Sequence, residues 1–530
     1  MDMLAHVWLG ILAVFQGPAL FEIFGIPVPV TIVMVAGGFF TGVLVGATPG
    51  LAGPMAMAVA LPILISVFGF ETEALLPVMG FLIGIMKGAT IGGAVPAILF
   101  NTPGTPDAVL TTLDGHPMTK AGQSGRALKV AHFSSVSGDT VSDIVLFVCA
   151  PFLAVLVERY LDLPEKTALI LLSLAFIAAV VGNSVAKGLI AMGLGMLVAF
   201  VGTGEDFYPR LTGGVSWLAQ GFSIASVILG VLIIGEIFKS LEDMMRERAS
   251  TGGIQQTPVT GEAGLSWRER VRLLPFIGNS AAIGTMIGAL PGIGSTLAAT
   301  LGYATGRKLH ERRRPMGEAW GRGAPEGVAS TEAANSAVSG ANLIPVLSLG
   351  IPGNAAAVFL ILATESIGGF NPGPAVFRVP ADGVNTEMVL AFGIFTAMTV
   401  ANILNWTVGG RVMRMMAIMI RVPKQILLPS VLLVTLTAIH VQETSLKAIL
   451  FTLFFGVIGY LFRKFRISVL PFVIAFILAG NLENTARQAF SATGGDPWFL
   501  FSSPLAMAFM VGAIAVIVMF SRRRIEDVSE

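Results

Sequence analysis

Two stretches of the chain hold the residues best suited to binding chemistry. Asn101-Thr102-Pro103-Gly104-Thr105-Pro106-Asp107 sets neutral donors and acceptors among helix breakers, directly after an apolar segment that also carries Pro96. Proline lacks the N–H of a helical bond and clashes with the preceding turn, so Pro96, Pro103 and Pro106, with Gly104, are expected to stop a helix and leave peptide groups that need side chains, water or a ligand. A half-helix starting beyond Pro106 would aim its positive end and free N–H groups at an anion. The second stretch runs from Pro325 to Asn342. On a helix, Glu332, Asn335, Ser336, Ser339 and Asn342 recur at three- and four-residue spacing and form one polar face among small residues that permit close backbone approach. The chemistry expected of these groups is recognition of a small anion by backbone N–H groups and neutral side chains. An interhelical loop and a ligand-free helix contact are the plainer alternatives.

Charged candidates are few. Lys87 interrupts the apolar run Phe81 to Ala94 and is an anion-binding candidate, whereas Lys187, near a segment end, is expected to snorkel. Asp107, Asp139, Asp143 and Glu332 could each couple a proton or Na+, with surface solvation as the plainer reading of any one of them; Asp107 and Glu332 are the chosen ion-coupling candidates, and Na+ at the broken helices is the one metal considered. Five histidines show no paired metal spacing, and a P-loop is absent, which argues against a nucleotide-driven pump. No organic cofactor, no nucleic-acid partner and no catalytic constellation is expected. The single Cys149 reads as a small buried hydrophobe.

The elements that must position these residues occur twice. Gly46-Ala47-Thr48-Pro49-Gly50-Leu51 returns as Gly288-Ala289-Leu290-Pro291-Gly292-Ile293, an offset of 242 (288 minus 46). Pro96 to Val109 lines up with Pro345 to Val358 at an offset of 249 (345 minus 96), bringing Asn101-Thr102-Pro103-Gly104 onto Gly350-Ile351-Pro352-Gly353. Paired Pro-Gly breaks in apolar sequence are the mark of a transporter whose interrupted helices, or re-entrant hairpins, meet at a midplane site. The expected substrate-binding set is therefore Gly50, Asn101, Thr102, Pro103, Gly104 and Thr105 from the first copy, with Gly292, Gly294, Ser295, Asn335, Ser339, Pro352, Gly353 and Asn354 from the second.

Composition places all of this in a lipid bilayer. Mean hydropathy is +0.80, and charged residues make up 12% against ~25% in soluble domains. At roughly 20 apolar residues per crossing, the length allows on the order of ten to fourteen spans and re-entrant segments. The fold expected is an all-α polytopic membrane protein with repeats at 1–248 and 267–530, joined by a polar cytoplasmic linker at 249–266. Apolar Met1 to Phe15 lacks a basic n-region and is not read as a cleaved signal. Arg-rich stretches such as Arg307 to Arg322 and Arg522-Arg523-Arg524 mark the cytoplasmic side, and the C-terminus with it. Equivalent loops have opposite charge bias: Glu71 and Glu73 in one copy face Arg307 to Arg314 in the other, and Lys120, Arg126 and Lys129 face the uncharged-to-acidic Glu365 to Pro374. The two repeats are accordingly expected to be inverted, forming a scaffold and a mobile transport domain.

At these motifs the chain resembles the large membrane subunit of the tripartite tricarboxylate transporters. The likeness runs through Gly46 to Pro54, Gly88 to Leu128 including Leu113-Asp114-Gly115-His116-Pro117, Pro325-Glu326-Gly327, Glu332 to Asn335, Pro345 to Gly353 and Asn481 to Gln488. It implies a secondary-active importer of a small carboxylate or other organic anion in the bacterial cytoplasmic (inner) membrane. It also implies a small four-helix membrane subunit, a periplasmic solute-binding protein and ion-gradient symport. Lys87-Gly88-Ala89-Thr90-Ile91 ahead of Gly92-Gly93 departs from the family pattern and leaves the particular carboxylate open. The competing classes are a membrane-embedded enzyme acting on a lipid-linked substrate and a structural membrane component.

Overall fold

The computed structural model describes residues 2–529 except 24, 49–50, 182–183, 204–207, 248–263, 313–318, 381 and 420–423. Among the described residues the chain is helical nearly throughout, with two short antiparallel pairings, Ala19–Ile23 with Ile26–Pro29 and Gly202–Thr203 with Pro209–Arg210. Among the described residues, 7 helices are long and apolar enough to cross a bilayer. They differ in surroundings: the apolar window in Thr72–Phe100 is 89% buried within the protein, and that in Pro504–Ser521 only 11%. Exposed apolar side chains such as Val511, Ile514 and Val518 are what a lipid-facing helix requires. The chain is a multi-pass membrane protein.

Two compact bodies divide the chain, and neither coincides with one repeat. The first comprises 1–154, 251–290 and 294–427; the second comprises 155–250, 291–293 and 428–530. Each half of the sequence thus gives its earlier part to the first body and its later part to the second.

The helices of the first body that bear on the candidate residues are, in chain order, α1 (Val30–Gly46), α2 (Gly53–Phe68), α3 (Leu75–Phe100), α4 (Thr111–Lys120), α5 (Ser124–Tyr160), α6 (Trp267–Gly288), α7 (Ser295–Arg312), α8 (Pro325–Ala341), α9 (Leu343–Leu349), α10 (Ala355–Ile367) and α11 (Thr386–Leu404). Glycine decides how α1 and α3 meet. A Cβ on Gly42 would lie 2.4 Å from the Ile85 carbonyl oxygen, and one on Gly84 would lie 2.4 Å from that of Val35. The two backbones touch directly, which in lipid replaces the hydrophobic drive that water would supply. Ser266 starts α6 with a capping box, its hydroxyl accepting from the Glu269 N–H while Glu269 accepts from the Ser266 N–H. Burial weighs against ionisation of Glu269, but the Ser266 donors and the Arg126 guanidinium outweigh it and hold this carboxyl below its ordinary range. Of the expected linker, 249–263 lies outside the described residues.

The paired sequence motifs have parallel local geometry. Both α1 and α6 end at motif glycines, and the following residues, Ala47 and Ala289, have φ/ψ of −72/−12 and −71/−11. The next helices start at Gly53 and Ser295, again 242 apart (295 minus 53). Packing repeats as well: Gly42 against Ile85 and Gly46 against Ala89 in the first copy correspond to Gly284 against Ala334 and Gly288 against Val338 in the second. Adding 242 to the glycines and 249 to their partners converts one set into the other. So α3 corresponds to α8 and α9 together, and their last residues, Phe100 and Leu349, are 249 apart.

In the second body, helix Ile224–Leu229 passes through a π turn at Gly230–Ile234 before continuing as Gly235–Glu247. A π turn shifts the ladder and leaves carbonyls short of partners. Arg463 on helix Leu446–Lys464 takes them up, donating to Val231 O at 2.7 Å and Leu232 O at 2.9 Å as well as to Gly459 O and the Glu236 carboxylate. Its fixed fork of donors suits this task as a lysine's would not.

Candidate functional site

Both second-motif breaks adopt one backbone design. Asn101 closes α3 in the left-handed region at φ 54, and Gly350 closes α9 at φ 70. The following N–H groups fold back onto the paired proline carbonyls, Thr102 to Pro96 at 3.3 Å and Ile351 to Pro345 at 3.1 Å. Pro96 therefore sits inside α3, and the chain breaks at Asn101, not at the first proline. Next, Gly104 packs onto Gly93, its N–H donating to the Gly93 carbonyl, where a Cβ would come within 3.0 Å of the Gly93 Cα. Gly353, its counterpart, packs onto Asn342, the counterpart of Gly93 (342 minus 93 is 249). Thr102, Pro103 and Thr105 lie in the first loop, with Thr105 buried, and Pro352 and Asn354 in the second, where the Asn354 side chain caps α10 through the Ala357 N–H.

The helix expected beyond Pro106 is short and polar. A 3-10 turn, Pro106–Ala108, leads into the ten-residue polar helix α4. Thr111 at its start donates to Glu332 Oε1 at 2.5 Å, so this end of the helix meets a carboxylate of the chain itself.

The polar helix is α8, and every residue from Pro325 to Ala341 is buried. Ser135 completes the coordination of Glu332 with a bond to Oε2 at 2.9 Å, so both carboxylate oxygens rest on neutral hydroxyls. Asn335 Nδ2, Ser336 Oγ and both amide atoms of Asn342 are buried with no hydrogen-bond partner in the protein. Leaving such groups unsatisfied costs about 1–3 kcal/mol each, and native proteins keep few of them. Ser339, by contrast, donates to Asp139 Oδ1 at 2.6 Å.

That bond leads to a buried cluster of charged groups. Lys87, the anion-binding candidate of the sequence, donates to Asp139 Oδ1 at 2.8 Å and Asp143 Oδ2 at 2.7 Å. Asn402 on α11 adds a bond from Nδ2 to Asp143 Oδ2 at 2.7 Å. Four helices drawn from both halves of the chain, α3, α5, α8 and α11, supply this cluster. Asp139 and Asp143 are one turn apart on α5 and thus share a face.

The remaining candidates are dispersed. Asp107, half-buried, accepts from Thr296 Oγ1 at 2.8 Å, beside the start of α7 at Ser295. Gly294 has φ +76 and open space at its Cβ position, whereas Gly292, φ +81, belongs to the second body and packs on Ile177. Gly50 lies outside the described residues. Asp114 is a residue whose role the sequence does not disclose. One of its oxygens accepts the N–H groups of Gly321, Gly323 and Ala324, and the other accepts the Tyr303 hydroxyl, so it occupies the positive end of α8 that an external anion would otherwise find. Asn402 was legible in principle, as an amide inside the apolar run Met388 to Val408.

The chain is 29% identical over 493 residues, 92% of its length and 93% of the relative's, to an Agrobacterium vitis protein described as an uncharacterized 52.8 kDa protein in the TAR-I ttuC' 3' region. It is also 26% identical over 236 residues, 44% of its length and 93% of the relative's, to an uncharacterized Agrobacterium vitis protein in the TAR-II ttuC' 3' region. No solved structure matches it. Residues 32–474 match the model of the tripartite tricarboxylate transporter TctA family. With most of its length inside that match, and with the paired breaks and polar helix all falling within it, the chain belongs to the TctA family and is a membrane component of a tripartite transporter.

Proposed function

We propose that the protein is the large subunit of a secondary-active importer for a small carboxylate, a tricarboxylate, dicarboxylate or related organic anion. It takes its solute from a periplasmic solute-binding protein, works beside a small four-helix membrane subunit, and is driven by H+ or Na+ symport across the bacterial inner membrane. The observation that carries this reading is the buried α8 face, where Asn335 Nδ2 and the Asn342 amide have no protein partner within a body that also holds both break loops. Neutral donors of this kind can hold a carboxylate without the desolvation cost of a buried cation. Glu332 and Asp107 are the coupling carboxylates in this reading. Asn335→Ala is expected to weaken binding of radiolabelled citrate or another di- or tricarboxylate that the wild type binds by about ten- to hundredfold. That is the loss of one hydrogen bond to a charged group, about 1.5–3 kcal/mol at ~1.4 kcal/mol per decade. Unchanged affinity, measured on purified protein with lowered ligand-free stability, would assign Asn335 to helix contact alone. In reconstituted vesicles, uptake should need the binding protein and stop when the ion gradient is collapsed, with ATP present.

The repeats are, in the same proposal, inverted, with a cytoplasmic C-terminus. In a Cys149→Ser background, single cysteines replacing the exposed Glu73 and Lys308 should react with an impermeant thiol reagent from opposite sides of the membrane. Labelling from one side would make the repeats parallel.

A further inference from the structure

Lys87, Asp139 and Asp143 do not balance. Two carboxylates face one ammonium, and all three are almost wholly inside the protein, at 1%, 3% and 2% exposure. The hydrogen bonds do not balance either. Asp139 Oδ1 receives Lys87 and Ser339, and Asp143 Oδ2 receives Lys87 and Asn402, yet Asp143 Oδ1 is buried with no partner. Asn402, 6% exposed and anchored to Asp143 through its N–H2, has its own Oδ1 buried and unpartnered as well. Gly340 lets the free carboxylate oxygen approach, since a Cβ there would stand 2.1 Å from Asp143 Oδ1. An uncompensated negative charge beside free oxygen acceptors, at membrane depth, calls for a positive ligand.

No neighbouring side chain supplies one. The α1 helix carries no ionisable residue, and Lys87 is the only one on α3. Glu332 on α8 is bound by Thr111 and Ser135, and Glu387 on α11 accepts from the Asn371 N–H. His132, two turns before Asp139 on α5, bonds the Asn405 carbonyl at 3.0 Å. Among the described residues, no group of three or more His, Cys, Asp or Glu could hold a metal ion, so any cation here rests on fewer carboxylates and on amide oxygen.

We infer that Asp143 and Asn402 bind one monovalent cation, a proton or Na+, next to the Lys87 ammonium. The site is separate from Glu332 and Asp107. Its part in coupling rests on the import reading above, but occupancy does not, because binding can be followed without transport. A protein that binds the cation and imports no carboxylate would sink only that reading.

The experiment uses the purified full chain in phosphatidylcholine nanodiscs without substrate. Thermal midpoints are compared in NaCl against choline chloride at alkaline pH, and across pH in choline chloride alone, since a ligand that binds only the folded state raises its stability. A rise with Na+ at alkaline pH identifies sodium, and a rise on acidification that ignores Na+ identifies the proton. In either case Asp143→Asn, which removes the excess charge, should no longer respond and should melt no lower than the cation-loaded wild type. Glu73→Gln, at an exposed carboxylate outside every proposed cation site, should keep the wild-type response. A wild type indifferent to both cations, or an Asp143→Asn variant that responds as the wild type does, overturns the inference. Should Asp143→Asn fail to insert, Asn402→Ala must shift the half-effective cation concentration by about tenfold; an unshifted value also overturns it.

Discussion

Lys87→Met is expected to lower the stability of the folded protein by about 3–5 kcal/mol, the cost of breaking a buried ion pair by removing one partner. Met matches the lysine stem in length, so the packing around the stem survives, and the loss reports the two carboxylates left without their ammonium. Equilibrium unfolding in detergent measures it. The triple variant Lys87→Met, Asp139→Asn, Asp143→Asn should recover most of the loss, because replacing all members of a buried ionic cluster is far milder than stranding some of them. A Lys87→Met protein as stable as the wild type, or a triple variant no better than the single one, would contradict the view that this cluster is a tightly coupled charge network.

The second large effect is expected at Gly84. In Gly84→Val the new Cβ would lie 2.4 Å from Val35 O and 2.6 Å from Phe39 N, both backbone atoms of α1 that no rotamer change can move. Overpacking in a core costs typically about 1–3 kcal/mol where side chains can give way, and here the helices themselves must part, so the loss should reach or exceed the top of that range. Gly37→Val, one turn from the same contact, is the control. Its Cβ would meet only the Phe81 ring at 3.4 Å, which can adjust. Thermal melting of both variants in one detergent decides the matter; equal losses would show that the α1–α3 contact is not backbone-limited.

The positions of the breaks were legible because proline and glycine act on their own backbone, within a turn or two. The same locality explains the miss at Pro96. A proline in a helix whose neighbours satisfy its freed groups does not end it, and sequence alone does not say which prolines are so supported. The polar face of α8 was legible from three- and four-residue spacing. Its depth was not, since periodicity says which residues share a face and nothing about what covers the other faces. Lys87 shows the limit most clearly. Its rarity in an apolar run marks it as functional, but its partners lie 52 and 56 residues away, and in the sequence Asp139 and Asp143 are only two of several scattered acids. The division into bodies was equally hidden, because each half of the chain contributes to both.

The contact between α1 and α3, and its copy between α6 and α8, has a mechanical meaning. Inside a packed protein the inexpensive way to shift one element past another is to exchange side-chain rotamers, and a contact made by Gly38, Gly42, Gly46, Gly84 and Gly88 has none to exchange. Each pair is therefore a stiff beam without internal play. The break loops, seated at the ends of these beams through Gly104 on Gly46 and Gly93, cannot be reshaped by sliding one helix against its mate. A displacement of either loop has to carry a whole helix pair with it.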